Sequence, residues 1–186
     1  MNSNHEIHLR LAAAANRGDV ANVVYFLAEI KARNLTLAVS VTPAKRPIIH
    51  FAQTAVIARL LTEAGAHPLA VDENGNHALI HRAQTGQKFD GHLVDFFALY
   101  GLDLTVRNSD GYSALYLCAE KGWGRAVRSF IRHGITLSRF EMTTLFMHVQ
   151  CNRKRLELIG NGIKPSKREL FDAGIDIPTQ QLLLSE

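Results

Sequence analysis

Gly75-Asn76-His77-Ala78-Leu79 returns 36 residues later as Gly111-Tyr112-Ser113-Ala114-Leu115, and each copy opens an apolar stretch with helical spacing. A chain that repeats itself at such a period is built from small supersecondary units, none of which buries its apolar face alone. Weaker copies stand upstream at Arg46-Pro47-Ile48 and downstream at Thr143-Thr144-Leu145. The anchors Leu11, Ile48, Leu79, Leu115 and Leu145 lie 37, 31, 36 and 30 residues apart, a mean of about 33.5. A glycine closes four of the units: Gly65, Gly101, Gly134 and Gly162.

Each unit reads as two short helices. The first is small and Ala-rich: 11–15, 48–52, 79–83, 115–119 and 145–149. The second carries a bulkier stripe: Val23, Phe26, Leu27; Val56, Ile57, Leu60, Leu61; Leu93, Phe96, Phe97; Val127, Phe130, Ile131; Leu156, Ile159. Pro47 suits a helix opening, and Ser113 and Thr143 suit N-caps. The closing glycines suit a left-handed residue past a helix end. Asp72-Glu73-Asn74-Gly75 and Asn108-Ser109-Asp110-Gly111 are turn sequences leading into the next unit.

At these residues the chain resembles the ankyrin repeat family, whose pattern runs G-x-T-P-L-H-x-A-A-x-x-G-H, then a second helix and G-A-D. The best unit is Gly111 to Trp123, closing at Gly134. The unit from Asp72 to Arg107 carries about three extra residues around Gly86–Gly91, which extend the loop between its helices. The resemblance implies an all-α, ankyrin-type repeat solenoid of stacked helix–turn–helix units. The array spans 1–164, in units of roughly 5–40, 41–71, 72–107, 108–137 and 138–164, with 165–186 as a C-terminal capping segment. The chain departs from the family at the loop-bracing histidine, where it has Ala12, Ile49, Ile80, Tyr116 and Phe146. A regular bracing network from that position is not expected.

Composition excludes several classes. With 47% hydrophobic and 20% charged residues in 186, the chain can bury a core and is not of disordered composition. Its most apolar stretch, Val20–Ile30, is too short for a membrane span. Residues 1–8 are polar and show no secretory signal pattern. Two cysteines, Cys118 and Cys151, make no disulfide framework and suit a reducing compartment. A cytoplasmic location is expected, or a host cytosol if the chain is a delivered effector.

Catalytic chemistry finds little support. There is no P-loop, no G-x-S-x-G and no H-E-x-x-H. His148-x-x-Cys151 and Cys118 raise the idea of a cysteine nucleophile, but that chemistry needs a base within hydrogen-bond reach and a thiolate-favouring environment, and Cys118 falls at a small-residue packing position. His77 and His81 stand four apart, but no third ligand is fixed nearby in sequence, so no metal site is expected. Gly160-Asn161-Gly162 reads as a helix terminus. The chain is expected to be no enzyme, with no cofactor and no small-molecule substrate.

Two surfaces remain. The resemblance implies that turn tips and the exposed side of the inner helices bind a protein partner. Carried over by position, these are Glu73, Asn74, Asn76, Gln84 and Thr85 in the third unit, and Ser109, Asp110, Tyr112, Glu120, Lys121 and Trp123 in the fourth. Tyr112 and Trp123 are aromatics at a polar rim, the usual chemistry of interface anchors, although Trp123 can equally cover a helix end. The second surface is basic. Lys121 to Arg168 holds eleven basic residues against two acidic ones, a net +9, while the rest of the chain is −5. Arg125, Arg128 and Arg132 fall on the second helix of the fourth unit. Arg153, Lys154 and Arg155 are expected between the helices of the fifth, and Lys164, Lys167 and Arg168 in the cap. A solvated, solubilising face accounts for such a patch; so does an acidic protein partner, and less well nucleic acid or an anionic membrane surface. Only Trp123 and Phe140 offer stacking platforms there.

Overall fold

A computed structural model describes residues 3–37, 46–149 and 151–185. The described residues contain eleven α-helices and one 3-10 helix, and their only β-pairing is two isolated bridges, Val71 with His77 and Arg107 with Ser113. None of these helices is long and apolar enough to cross a membrane. The chain divides into two compact parts at Asp103–Leu104.

In the N-terminal part, α1 (Ser3–Arg17) pairs with α2 (Val20–Ala32). A 3-10 helix (Ile48–Phe51) precedes α3 (Ala55–Glu63), and α4 (Ala78–Gln84) precedes α5 (Gly91–Leu99). The first member of each pair packs on the first member of the next: α1 on the 3-10 helix, and that helix on α4. The second members do the same, α2 on α3 and α3 on α5. Two layers result, joined by Leu11, Ala14, Ile48, Leu79 and Ile80 from one side and Val23, Ile57, Leu61, Leu93 and Phe97 from the other, all buried. Small residues at Ala14, Ala15 and Ala83 let these backbones approach. Val56, expected in the apolar stripe, is 57% exposed; the stripe of α3 runs through Ile57, Ala58 and Leu61 instead.

In the C-terminal part, α6 (Ala114–Glu120) packs on α7 (Gly124–Arg132) and on α8 (Arg139–His148). Then come α9 (Asn152–Gly160), α10 (Lys167–Asp172) and α11 (Ile177–Leu184), with α10 against α8 and α11 against α9. Ser113 is an N-cap, its Oγ accepting from the Tyr116 N–H at 3.2 Å. Thr143 is not: it lies inside α8, which begins four residues earlier. Ser138 caps it with a full capping box, whose second arm is Glu141. The same Ser-x-x-Glu signal recurs at Ser166 and Glu169, which open α10. The expected capping segment 165–186 thus contains a helix pair, and Leu170 is its buried anchor.

Most helix ends among the described residues follow one rule. Gly122, at φ +70°, follows α6; its N–H bonds to the Ala119 carbonyl, and the next N–H, of Trp123, reaches back to Cys118 at 2.9 Å. This satisfies carbonyls that the helix leaves orphaned.

Candidate functional site

The two best-conserved turns within this chain are built alike. Asp72 Oδ1 accepts from the backbone N–H groups of Asn74 (2.9 Å) and Asn76 (3.0 Å). Thirty-six residues on, Asn108 Oδ1 accepts from Asp110 (3.1 Å) and Tyr112 (2.8 Å). In each, the fourth-residue glycine, Gly75 or Gly111, donates back to the carbonyl of the first residue at 3.0 Å. A short acceptor side chain at the first position therefore fixes the tip, and the tip sets what the next residues present.

Of the residues assigned to the partner surface, Glu73, Asn74, Gln84, Thr85, Ser109, Asp110, Glu120 and Lys121 are exposed, and Tyr112 is half-buried. Two are not available. Asn76 is buried beneath its own tip, its amide directed at Asp72. Trp123 is only 8% exposed, because the C-terminal turn of α6 folds it inward to become the N-cap residue of α7. The exposed aromatic of this region is Phe140, at 58%. Tyr112 stacks on Tyr116 with ring centroids 4.3 Å apart, and on Phe140 at 5.8 Å. Three rings thus run from the buried inner helix to the surface beside the Ser109–Asp110 tip. Burial of Tyr116 pushes its phenol pKa well up, so it stays neutral.

A cavity of about 170 Å³ opens between the α6–α7 turn and α9. Glu120, Lys121, Lys154 and Glu157 contribute its charges, and Gly122, Val127 and Leu158 contribute apolar wall. Exposed basic residues include Arg125, Arg128 and Arg132 on α7, and Lys167 and Arg168 on α10. Arg153, Lys154 and Arg155 lie on α9, not between helices, because the helix begins at Asn152. Several cations have protein partners: Arg128 bonds Asn161, Arg132 reaches Ser129 Oγ at 3.1 Å, Arg139 pairs with Asp172, and Arg155 donates to the Phe146 carbonyl at 3.3 Å. The basic segment is therefore partly structural.

Loop bracing does occur, from residues other than the expected ones. His50, one position after Ile49, is fully buried and its Nε2 donates to the Ala70 carbonyl at 2.9 Å. In the C-terminal part Glu141 takes this role. Its carboxylate is fully buried and accepts from the Ser113 N–H (2.6 Å), the Ser138 N–H (2.9 Å), the Ser138 hydroxyl (2.8 Å) and the Arg107 guanidinium (3.1 Å). Burial alone would raise its pKa, but the bonds from Ser113 and Ser138 together win and hold it below the ordinary value. Arg82, at a position where the family pattern has alanine, is also buried. It donates to the Phe51 carbonyl (3.1 Å) and Asn16 Oδ1 (3.2 Å) and has its pKa lowered to about 10 by burial. None of these three was assigned a role from sequence, since each depends on partners tens of residues away.

His77 and His81 are not a ligand pair. His77 is the N-cap of α4, its Nδ1 accepting from the Ile80 N–H at 3.4 Å. His81 turns toward His50 and Asp72. Cys118 is fully buried and its thiol is pushed up by that burial. Cys151 is exposed, and the backbone N–H groups of Lys154 and Arg153 hold its thiol below the ordinary value.

Comparison with solved structures places this geometry. The ankyrin repeat domain of Bcl-3, a member of the IkappaB protein family, matches with a TM-score of 0.60 at 18% identity, covering 83% of this chain and 72% of that one. An ankyrin repeat domain from Acinetobacter baumannii matches at 0.59 and 21% identity, covering 94% and 95%. The chain has the ankyrin-repeat fold. No protein-family model and no curated protein matches the sequence. The likeness to ankyrin-repeat structures explains the two layers of paired helices, the glycine-closed ends and the projecting tips.

Proposed function

We propose that this ankyrin-fold chain is a non-enzymatic module that binds a protein partner. The observation that carries the reading is the aromatic run Tyr116–Tyr112–Phe140, which ends in a largely exposed phenylalanine beside a polar turn tip. Rigid aromatic rings with a polar surround are what interface anchors require. The tip is fixed by the Asn108 bonds, so little ordering is needed on binding. Tyr112 and Phe140 are the anchors; Ser109, Asp110, Glu120 and Lys121 form the rim. Affinity capture from cell extract, comparing wild type with Tyr112→Ala and Phe140→Ala, tests this. The variants should keep the helical circular dichroism signal and lose the captured partner. Equal capture by both variants removes the surface assignment.

Electrostatic attraction to an acidic partner, nucleic acid or anionic lipid is the second reading, favoured by the exposed Arg125, Arg153, Lys154, Lys167 and Arg168. It requires binding that falls steeply between low and physiological salt; salt-independent binding rejects it. We infer a cytosolic site of action, the cell's own or a host's, from two unpaired cysteines. A translocation-reporter fusion separates these two locations.

A further inference from the structure

The tip of the N-terminal part holds a group of side chains that loop bracing does not fully explain. His50 comes from the 3-10 helix, Asp72 from the turn and His81 from α4. One ligand atom of each lies within 4.8 Å of the other two. His81 Nδ1 and Asp72 Oδ2 are 3.6 Å apart, too far for a hydrogen bond, and the two imidazole rings have centroids 5.4 Å apart. His50 is wholly buried, and the side chains of His81 and Asp72 are 8% and 6% exposed.

The hydrogen bonds around these groups leave an imidazole nitrogen of His50 and one oxygen of Asp72 under-used. A carbonyl only accepts, so the bond to Ala70 puts the hydrogen of His50 on Nε2 and the lone pair on Nδ1. That Nδ1 is buried with no partner among the described residues. Asp72 Oδ1 is taken by the two turn N–H groups, whereas among the described residues Oδ2 has only a 3.5 Å approach from the Asn76 amide. A buried, unpaired imidazole lone pair beside an under-used carboxylate oxygen and a second imidazole is a costly arrangement without a further occupant.

We propose that His50, Asp72 and His81 form a Zn²⁺ site that ties this turn to the two helix pairs beneath it. Two imidazoles and one carboxylate are a donor set for a borderline divalent ion and poor for calcium or magnesium. In tetrahedral zinc coordination, bonds of about 2.0 Å put ligand atoms about 3.3 Å apart. The 3.6 Å pair is already close to that spacing, and the remaining contraction is within reach of side-chain rotation. The supporting shell is present: a carbonyl fixes the His50 tautomer, and backbone N–H groups fix the carboxylate. A fourth position is left for water. The cations Arg46 and Arg82 act on His81 electrostatically and oppose a dication, which weakens the site. The corresponding turn of the C-terminal part lacks the set: Asn108 replaces Asp72 and Leu117 replaces His81, and Glu141 braces that turn instead.

The test is calorimetric titration of the full chain, stripped with chelator, using zinc chloride as the probe. Wild type should bind one equivalent saturably and show a raised thermal midpoint that chelator reverses. Asp72→Asn and His81→Gln, checked for helicity, should each lose affinity by about tenfold or more. Absence of one-to-one binding below about 0.1 mM overturns the site. So does unchanged affinity in folded variants, since the ion then sits on other histidines. If the variants do not fold, the cobalt-substituted wild type decides. An intense tetrahedral absorption spectrum supports the site, and the weak spectrum of hexa-aquo cobalt overturns it.

Discussion

Glu141→Ala should be among the most damaging substitutions in the C-terminal part. The carboxylate is fully buried, and the Ser113 N–H it accepts at 2.6 Å belongs to a residue that is 1% exposed. Alanine leaves that N–H without an acceptor, at about 1–3 kcal/mol. Loss of the reciprocal arm of the α8 capping box adds roughly 0.5–1 kcal/mol. Arg107 adds less than about 1 kcal/mol, because its side chain is 40% exposed and water takes over its charge. The total is about 3 kcal/mol, a fall of roughly 6–12 °C in thermal midpoint for a chain of this size. Glu141→Gln keeps an oxygen for Ser113 and should cost well under half as much. Thermal unfolding followed by far-UV circular dichroism measures both, and hydrogen exchange at the Ser113 amide locates the effect. A midpoint for Glu141→Ala within about 2 °C of wild type, with Ser113 still protected, would refute the reasoning.

Gly18→Ala should destabilise by about 1–2 kcal/mol, because Gly18 sits at φ +78° and an added Cβ would meet the Gln53 side chain; denaturant titration reads this. The His77 pKa is lowered to about 4, first by burial and then by His50. The neutral form is thus the folded one, and its stabilising contribution is complete above about pH 6.5 and lost as pH falls toward 4. His77→Ser, which copies the Ser113 cap, should make midpoints measured across that interval fall less steeply. A thiol-alkylating probe on the native protein should label Cys151 and spare Cys118 until unfolding, by exposure and by the opposite directions of their pKa shifts; peptide mass spectrometry reports the site.

The fold was legible because repetition and helical spacing are local signals. Leu11, Ile48, Leu79, Leu115 and Leu145, the leucine-like anchors of the recurring motif, are all 2% exposed or less. The start of α8 was misplaced because Thr143-Thr144-Leu145 mimics the repeat motif, while the physical start signal is Ser138 with Glu141. For Trp123 the sequence left two readings open, a rim anchor or the cover of a helix end; the turn closing α6 folds it inward. His50, Asp72 and His81 were illegible as a group. They are separated by 22 and 9 residues, a spacing with no meaning until the 3-10 helix packs on α4. The buried roles of Glu141 and Arg82 were hidden for the same reason, since charged residues in short helices ordinarily face water.

Amide hydrogen exchange of the full chain, alone and saturated with its captured protein partner, bears most directly on the interaction surface. New protection should concentrate on the 108–112 turn and the first turn of α8, where Tyr112 and Phe140 lie. Protection confined to other segments, with these two unchanged, would contradict the account.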